Sequence, residues 1–565
     1  AKTIRFLDRD FTEIAVGLEG DPRRVDAAVR RLRYAEGVAQ GTVAVDLASP
    51  PAGSSAYPVA VDLGVRELDV RRFLADLGPD LELAVASQAS GKIAYRATAD
   101  DLLAGQGDFI LALSPNPNTS RGGLPIGGDL PVTYDGGVFA SRGFHLTGPA
   151  LDAQGEASWD VEQESGKVVA RLTTGDLAAV GRLLPAAQAD PKPIWLPESG
   201  RGTVETNVEA AGDSLIVAAR FDLADVASRA LSADSMVGSL RYTGSAIEKL
   251  DVVARRGDAR LAVAGFLPLA GEGPNAGVPA RAPIGLAIEV ERWPAAELAR
   301  WLPNASNLPP VGGPLDGRAD LGGVWSELSG SGQLAIEDFA LAGHALGRAT
   351  AEARFAGPRI ELGAVTVGGA AGVLSARGTI DRAAESLNLA IEAPALALDQ
   401  EPFRSLLGGD LAGRAALHAT VYGTFDKPDA HLTLRAEDLS LAGRALGAGG
   451  ASQLVARWDG SQVNAEGSLF GLATFRGGGR LDSKGADSTF DISSRNLGGL
   501  LGLANVEVPK TFVGGFRGNA VVRGEFAAET LGTDLVLEEL TMGFDSALAP
   551  EGASTRRALR NLEPV

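Results

Sequence analysis

The chain has 565 residues, with 52 Lys and Arg against 71 Asp and Glu, a net charge of −19, and no cysteine. Without thiols the chain has no disulfides, cysteine-ligated metals or thiol catalysis, and four histidines are too few for a His-rich metal site. The acidic balance argues against nucleic acid and anionic lipid surfaces as electrostatic partners. The chain is 45% hydrophobic and is predicted to fold, but its 73 glycines beside 6 Trp, 6 Tyr and 19 Phe require an unusual architecture.

The two ends of the chain predict an internal segment of a longer protein. The first residues, AKTIRFLDRDFTEIAV, do not show the basic stretch and apolar run of a signal peptide. No run of about 18 apolar residues predicts a membrane-spanning helix. The stretch from Ala547 to Val565 is polar and rich in turn residues, which is typical of a frayed end.

A strand followed by a short helix recurs five times along the chain. In order, the pairs are VAVDL (59–63) with a helix ending at Leu77, VVARL (168–172) with Leu184, LAIEV (286–290) with Leu302, LAIEA (389–393) with Leu407, and FDISS (490–494) with Leu503. Asp69, Asp176 and Asp399 are predicted N-caps, and Pro294 suits a helix start. A glycine opens a new strand after each helix, namely Gly91, Gly202, Gly317, Gly413 and Gly518.

Direct similarity between segments supports the same repeat. FALAGHALG at 339–347 is matched by LSLAGRALG at 439–447, which lies 100 residues further on. A unit of roughly 100–115 residues predicts one continuous element built from repeats, instead of independent domains. The predicted boundaries are a partial repeat at 1–80, repeats at 81–190, 191–308, 309–408 and 409–510, and a partial repeat with a tail at 511–565.

Between these landmarks, apolar and polar residues alternate. The segments TVETNVEA (203–210) and HLTLRAEDL (431–439) each place their apolar residues on one face, as in antiparallel strands with one wet face. The apolar face must be covered by a second sheet, closed into a barrel, or curled into a trough, and repetition with abundant glycine favours the trough. We therefore predict an all-β fold with short helices, an elongated, curled antiparallel sheet of about 25 strands with an apolar interior.

Two stretches carry a resemblance to a known family. The patterns LDGRADLGGVWSELSGSGQLAIEDFALAGHALG and FDISSRNLGGLLGLANVEVPKTFVGGFRGNAVVRGEF resemble the TamB/AsmA-like envelope proteins of diderm bacteria, best over about 190–530. The resemblance implies a repeating β-groove, the "β-taco", that crosses the periplasm and moves phospholipid between the inner and outer membranes. It also implies an inner-membrane anchor in an N-terminal part that this sequence lacks, and a TamA-like outer-membrane assembly barrel as a partner.

The functional prediction is a non-enzymatic conduit without cofactor, metal or nucleic acid, in which phospholipid acyl chains slide along the apolar groove. The alternative is a structural scaffold that assists outer-membrane β-barrel proteins or autotransporters by strand pairing at a sheet edge. The residues below could also simply pack against each other. The predicted lining residues are Val204, Val208, Phe221, Leu240, Tyr242, Leu261, Val263, Leu286, Ile288, Leu334, Ile336, Phe355, Leu432, Leu434 and Phe475.

The remaining polar groups suggest no catalytic site. The four histidines, His145, His344, His418 and His431, are scattered and are expected on exposed strands or turns. A local basic cluster is expected to be a solvated helix face, with contact to lipid headgroups as the alternative. Its members are Arg23, Arg24, Arg30, Arg31 and Arg33.

Overall fold

The structure is a computed structural model, and the residues it describes are mainly strand with little helix. Its strands form an open, curled antiparallel sheet, which confirms the predicted fold class, and 33 strands are described where about 25 were expected. The described residues are 3–6, 9–48, 56–77, 85–102, 104–116, 123–182, 196–212, 214–229, 231–244, 246–268, 282–300, 309–324, 327–406, 411–441, 443–446, 451–481, 485–503, 506–509, 511–525 and 530–544.

The chain divides into two compact units. The first unit comprises residues 1–293, 297–305 and 322–325, and the second comprises residues 294–296, 306–321 and 326–565. The strands up to the third helix are β1 (Thr3–Phe6), β2 (Arg9–Asp21), β3 (Arg24–Tyr34), β4 (Gly37–Asp46), β5 (Pro58–Asp69), β6 (Ser87–Thr98), β7 (Gln106–Pro115), β8 (Gly127–Asp135), β9 (Val138–Gly148), β10 (Leu151–Asp160), β11 (Ser165–Thr174), β12 (Pro197–Ala211), β13 (Ser214–Ser228), β14 (Ser232–Tyr242), β15 (Ala246–Arg256), β16 (Ala259–Pro268) and β17 (Pro283–Pro294).

The later strands continue the same alternation of short turns and long strands. They are β18 (Val311–Gly312), β19 (Pro314–Val324), β20 (Glu327–Leu341), β21 (His344–Gly357), β22 (Arg359–Gly369), β23 (Gly372–Asp381), β24 (Ser386–Ala397), β25 (Leu411–Thr424), β26 (Pro428–Leu441), β27 (Arg444–Ala445), β28 (Ser452–Trp458), β29 (Gln462–Leu469), β30 (Ala473–Leu481), β31 (Gly485–Ser494), β32 (Phe512–Glu525) and β33 (Thr530–Phe544). All five predicted strands lie within described strands, namely β5, β11, β17, β24 and β31.

Five short helices follow those five strands, as predicted. They are α1 (Val70–Leu77), α2 (Leu177–Gly181), α3 (Ala295–Ala299), α4 (Phe403–Leu406) and α5 (Leu497–Leu503). Helices α1 and α5 end at the predicted leucines, whereas Leu184, Leu302 and Leu407 lie outside the described residues. The repeat boundaries stay a prediction.

The predicted helix caps are correct at two positions and wrong at one. Asp69 accepts the backbone N–H of Arg72 at 2.9 Å, and Asp176 accepts that of Ala179 at 3.1 Å. Asp399 caps nothing, because α4 begins only at Phe403. The residue before a proline is disfavoured in helical conformation, so Pro402 delays the start of this helix.

Each unit is largely a meander, in which strands adjacent in sequence pair with each other. The turns therefore alternate between two edges of the sheet. We call the edge that carries α1, α2 and residues 297–299 of α3 in the first unit, and residues 295–296 of α3 together with α4 and α5 in the second, the helix rim of that unit. The opposite edge, where strands are joined by turns such as 161–164 and 425–427, is the hairpin rim.

Bulges interrupt the strands next to the helix rim. Asp225, Asp338 and Asp438 adopt left-handed backbone conformations, with φ values of 52°, 48° and 53°. A glycine with positive φ faces each bulge from the neighbouring strand, namely Gly200, Gly313 and Gly413. The aspartates and the glycines have the same spacings, 113 and then 100 residues, so the bulge is a property of the repeating unit.

Aromatic rings cover glycines on neighbouring strands. Phe221 pairs directly with Gly238, and a Cβ on that glycine would lie 2.9 Å from the ring. Phe475 covers Gly467 in the same way at 2.8 Å, and Trp159 lies over Gly166. A glycine opposite an aromatic residue is a known way to stabilise a strongly curved sheet. At these positions the glycine leaves space that an aromatic ring on the neighbouring strand fills.

Candidate functional site: the apolar face of the sheet

The predicted lining residues of the first unit share one face of the sheet. Residues directly opposite each other in antiparallel strands project to the same side. One such row crosses β11–β17 and consists of Leu172, Val204, Phe221, Gly238, Val252, Val263 and Ile288. Val208, Leu240, Tyr242, Leu261 and Leu286 occupy neighbouring rows on this face. All nine predicted residues of this unit therefore line a single apolar face.

The second unit has an apolar face of its own. One row crosses β20–β32 and consists of Leu334, Ala351, Val365, Ala376, Ile391, Ala419, Leu432, Ala456, Ala465, Gly477, Phe490 and Ala520. Ile336, Phe355, Leu434 and Phe475 lie in parallel rows on the same side. Neither row contains a charged residue.

The opposite face of each unit carries the charges. In the first unit, Arg171 lies 3.4 Å from Glu205 and Lys167 lies 3.1 Å from Glu209, each pair joining directly opposed residues of β11 and β12. In the second unit, the cross-strand pair Arg476 and Glu466 is 2.9 Å apart. These side chains are mostly about half exposed, so each ion pair contributes little to stability.

Hydrogen bonds on this polar face shift two carboxyl groups. The side-chain hydrogen bond from Lys167 holds the pKa of Glu209 below its usual range. Arg457 donates to Asp429 at 2.6 Å and lowers the pKa of that carboxyl in the same way. Both shifts arise from structural ion pairs, so neither indicates an acid or base for catalysis.

Burial divides the apolar face into a closed part and an open part. Most predicted lining residues, such as Val204 and Val263, are only half-buried, and Leu334 is 39% exposed. Leu261 and Ile336 differ, since only 5% and 8% of their surface is exposed. Leu261 and Ile336 therefore fit the alternative interpretation, in which the side chains simply pack against each other.

The buried clusters lie near the helix rim. Ile336 packs with Ala295 of α3 and Ala349, joined by Phe339 next to the Asp338 bulge. A larger cluster around α4 contains Ala393, Leu396, Leu398, Ala415, Ala436, Leu439 and Leu446. Helices α2, α3 and α4 therefore each contact a buried cluster near the helix rim, whereas the strand centres keep half-buried apolar side chains.

Sequence reasoning missed an aromatic group at the hairpin rim of the first unit. The rings of Tyr134 and Phe139 are 4.6 Å apart, Tyr95 lies 5.7 Å from Tyr134, and Phe109 lies 5.9 Å from Phe139. Simple alternation would place Phe139 and Phe144 on opposite faces. A bulge in β9 puts both on the apolar face, opposite Trp159 and Gly155, and no local sequence signal marks that bulge.

Two cavities among the described residues lie on the polar side of the second unit. One of about 810 Å³ is bordered by Glu466, Arg476 and Asp491, and it reaches Phe475. Another, of about 390 Å³, is bordered by Asp316, Arg318 and Glu352 and reaches Leu334. In both cavities most of the bordering residues project to the polar face, and Phe475 and Leu334 are the predicted lining residues that take part.

The basic cluster lies on a strand and not on a helix, and the four histidines also lie on strands. The helix predicted for Arg23–Arg33 is wrong: Arg24 to Arg33 lie on strand β3, where Val25, Ala27 and Val29 alternate with Asp26, Ala28 and Arg30. Arg31 and Arg33 both lie 2.9 Å from Glu13. His145, His344, His418 and His431 all lie on strands, namely β9, β21, β25 and β26.

Neither a metal site nor a membrane-spanning helix is found in the described part of the chain. There, no three His, Asp or Glu side chains are grouped so that they could hold a metal ion. No described helix combines the length and apolar character needed to cross a bilayer.

No protein-family model matches the chain, and a search of curated proteins finds no match. The resemblance to TamB/AsmA-like proteins thus rests on the motifs quoted above.

Proposed function

We propose that this protein is a non-enzymatic, periplasmic conduit of the bacterial envelope, which carries phospholipid acyl chains along the apolar face of its sheet. The observation that supports the proposal most is the uncharged row across β11–β17, whose members stay half-buried. An ordinary core would bury such side chains almost completely. A surface of this kind is complete only when an apolar ligand covers it.

The energetics of acyl chains match such a face. Each CH₂ group moved into water costs about 0.8 kcal/mol, so a bare 16-carbon chain costs about 12 kcal/mol. A continuous apolar row removes most of that cost without chemistry. The absence of charges in the row also leaves no strong polar site at which a chain would stop. The lipid headgroup stays in water at the open part of the face.

The resemblance to TamB/AsmA-like proteins supplies the cargo, the location and the partner in this proposal. In that family, similar repeats lie between the two membranes and an N-terminal helix anchors them. Phospholipid as the cargo, the periplasm as the compartment and a TamA-like barrel as a partner all rest on that resemblance. The repeated bulges at Asp225, Asp338 and Asp438 agree with a repeating groove but do not identify its cargo.

Lipid bound to the purified chain is the most direct test. Native mass spectrometry after gentle purification should detect phospholipid on the wild-type protein. Val263→Asp places a carboxylate in the middle of the row and should reduce the bound lipid at least fivefold. Ala264→Asp makes the same change one residue away, at an exposed position on the polar face, and should leave the bound lipid unchanged.

Two results would contradict the proposal. One is a wild-type protein that carries no lipid and takes none up from vesicles. The other is equal lipid binding by Val263→Asp and Ala264→Asp while both retain a β-rich circular dichroism spectrum. Ile336 is unsuitable for this test, because its burial against α3 would confuse loss of lipid with loss of folding.

The edge strand β33 supports a second function, the assembly scaffold. Among the described residues, β33 pairs only with β32. Leu537, Leu540 and Met542 project to the apolar side of this strand and are 52%, 50% and 61% exposed. An exposed, apolar edge strand can accept a strand from a partner. Crosslinks from β33 to an unfolded outer-membrane protein, absent from a Leu540→Lys variant, would support this function.

A further inference from the structure

The hairpin rim around β6–β10 combines exposed apolar side chains with acidic turns. Its turns, 99–105, 136–137 and 161–164, meet at one edge of the first unit because consecutive antiparallel strands reverse there. Large apolar side chains at this edge remain exposed to 37–50%, namely Tyr57, Leu102, Phe139, Trp159 and Val161. An exposed apolar patch of this kind indicates a binding surface.

This rim is continuous with the apolar face. Tyr134 and Phe139 pair directly with each other, and Phe139 lies opposite Trp159. Phe109, whose ring touches Phe139, pairs with Ile93 and Val132 further along the same face. A ligand on the apolar face could therefore reach the rim without crossing a polar barrier.

The rim is also acidic. The described residues in and beside its three turns include Asp100, Asp101, Asp135, Asp160, Glu162 and Glu164. Arg96 and Lys167 are the bases nearby in sequence, and Lys167 is already 3.1 Å from Glu209. The Glu162 side chain lies over Gly137, in the turn that joins the strands of Tyr134 and Phe139. Asp101 and Glu162 both act electrostatically on the Tyr134 hydroxyl.

We propose that this rim is a headgroup subsite that favours phospholipids with an ammonium headgroup over phospholipids with an anionic headgroup. The inference rests on the proposed conduit function. Aromatic faces attract ammonium groups through their π-electrons, and nearby carboxylates add Coulomb attraction. The same carboxylates repel an anionic headgroup. The acyl chains of such a lipid would lie on Phe109 and Val132, while its ammonium group meets Trp159, Asp101 and Glu162.

Competition between two lipids tests this subsite. Delipidated protein is mixed with vesicles of equal parts phosphatidylethanolamine and phosphatidylglycerol, and the bound lipids are identified by mass spectrometry. The wild-type protein should be enriched about fivefold in phosphatidylethanolamine. The double variant Asp101→Asn/Glu162→Gln keeps the size of both side chains and should lose the enrichment while binding as much total lipid. Trp159→Leu should reduce the enrichment in the same way.

A matched control comes from the hairpin rim of the second unit. Glu385→Gln/Asp426→Asn removes two exposed carboxylates from turns that adjoin Phe425 and, on the polar face, Tyr422, and should retain the wild-type enrichment. Bound lipid in the vesicle ratio, or enrichment unchanged in the double variant, would overturn the subsite and leave the rim for another occupant, such as a basic protein segment. Binding of neither lipid would overturn the conduit itself, so the two failures are distinguishable.

Discussion

The two faces of the sheet use the same backbone for different purposes. On the polar face, ion pairs such as Arg171–Glu205 are more than half exposed, so any one of them is replaceable at little cost. On the apolar face, residues near the helix rim are fully buried, as Ala393 is at 0% exposure, whereas those at the strand centres are half-buried. Stability therefore comes mainly from the helix rim, and the strand centres are available for a ligand.

The largest effect should come from a charge placed in a buried cluster. Ala393→Asp buries a carboxylate among Leu396, Leu398 and Leu439. Burial of this degree raises a carboxyl pKa by about 3 units or more, which corresponds to about 4 kcal/mol. We expect β24 and β25 to lose protection in hydrogen exchange, which reports local stability in a long repeat sheet better than a single unfolding curve.

The same substitution on the other face of β24 is the control. Ala390 lies three residues earlier, on the polar face, directly opposite Arg377. Ala390→Asp should therefore keep the hydrogen-exchange protection of both strands. If the two variants lose protection equally, the distinction between the faces is wrong at this strand.

A medium effect should come from the glycines that permit close approach of strands. Gly265 has φ of 140°, and the carbonyl oxygen of Gly285 occupies the space where its Cβ would project. Gly265→Ala should cost about 2 kcal/mol, because the backbone conformation is strained for any residue with a Cβ. Hydrogen exchange of β16 and β17 measures the loss.

Gly64 provides the comparison for Gly265. It lies in β5 of the same unit, and a Cβ there would meet nothing closer than the carbonyl oxygen of Gln40, at 3.7 Å. Gly64→Ala should change local protection by less than about 0.5 kcal/mol. Equal losses at both positions would mean that general strand propensity, and not close approach, determines the use of glycine.

The features predicted correctly from the sequence are those that depend on local interactions. Alternation along one strand is local, so β5, β11, β17, β24 and β31 were predicted. A helix cap is also local, and Asp69 and Asp176 behave as expected. The helix predicted for Arg23–Arg33 is wrong because it rests on the cluster of charged residues and ignores the alternation of Val25, Ala27 and Val29, which indicates a strand.

The aromatic rim could not be predicted, because it depends on contacts between strands. One extra residue in β9 reverses the side on which Phe139 projects, and its position is set by pairing with β8 and β10. The left-handed conformation of Asp225 likewise depends on a neighbouring strand, where Gly200 faces the bulge. Alternation therefore predicts which side chains share a face within a regular strand, but this prediction fails beyond a bulge.

The smallest effect concerns the pH response of the polar face. Arg457 lowers the pKa of Asp429 through a hydrogen bond, and His431 lies 3.1 Å from the same carboxyl group. Since the folded pKa is below the unfolded value of about 3.9, this pair stabilises the fold above that pH. The contribution is lost as the pH falls through the folded pKa. Arg457→Gln should raise the titration midpoint of Asp429, measured by NMR of its carboxyl carbon. Arg435→Gln, which removes the partner of Glu437 on the same strand, should leave that midpoint in place, and an Asp429 midpoint that stays depressed without Arg457 would assign the shift to His431 and Tyr422.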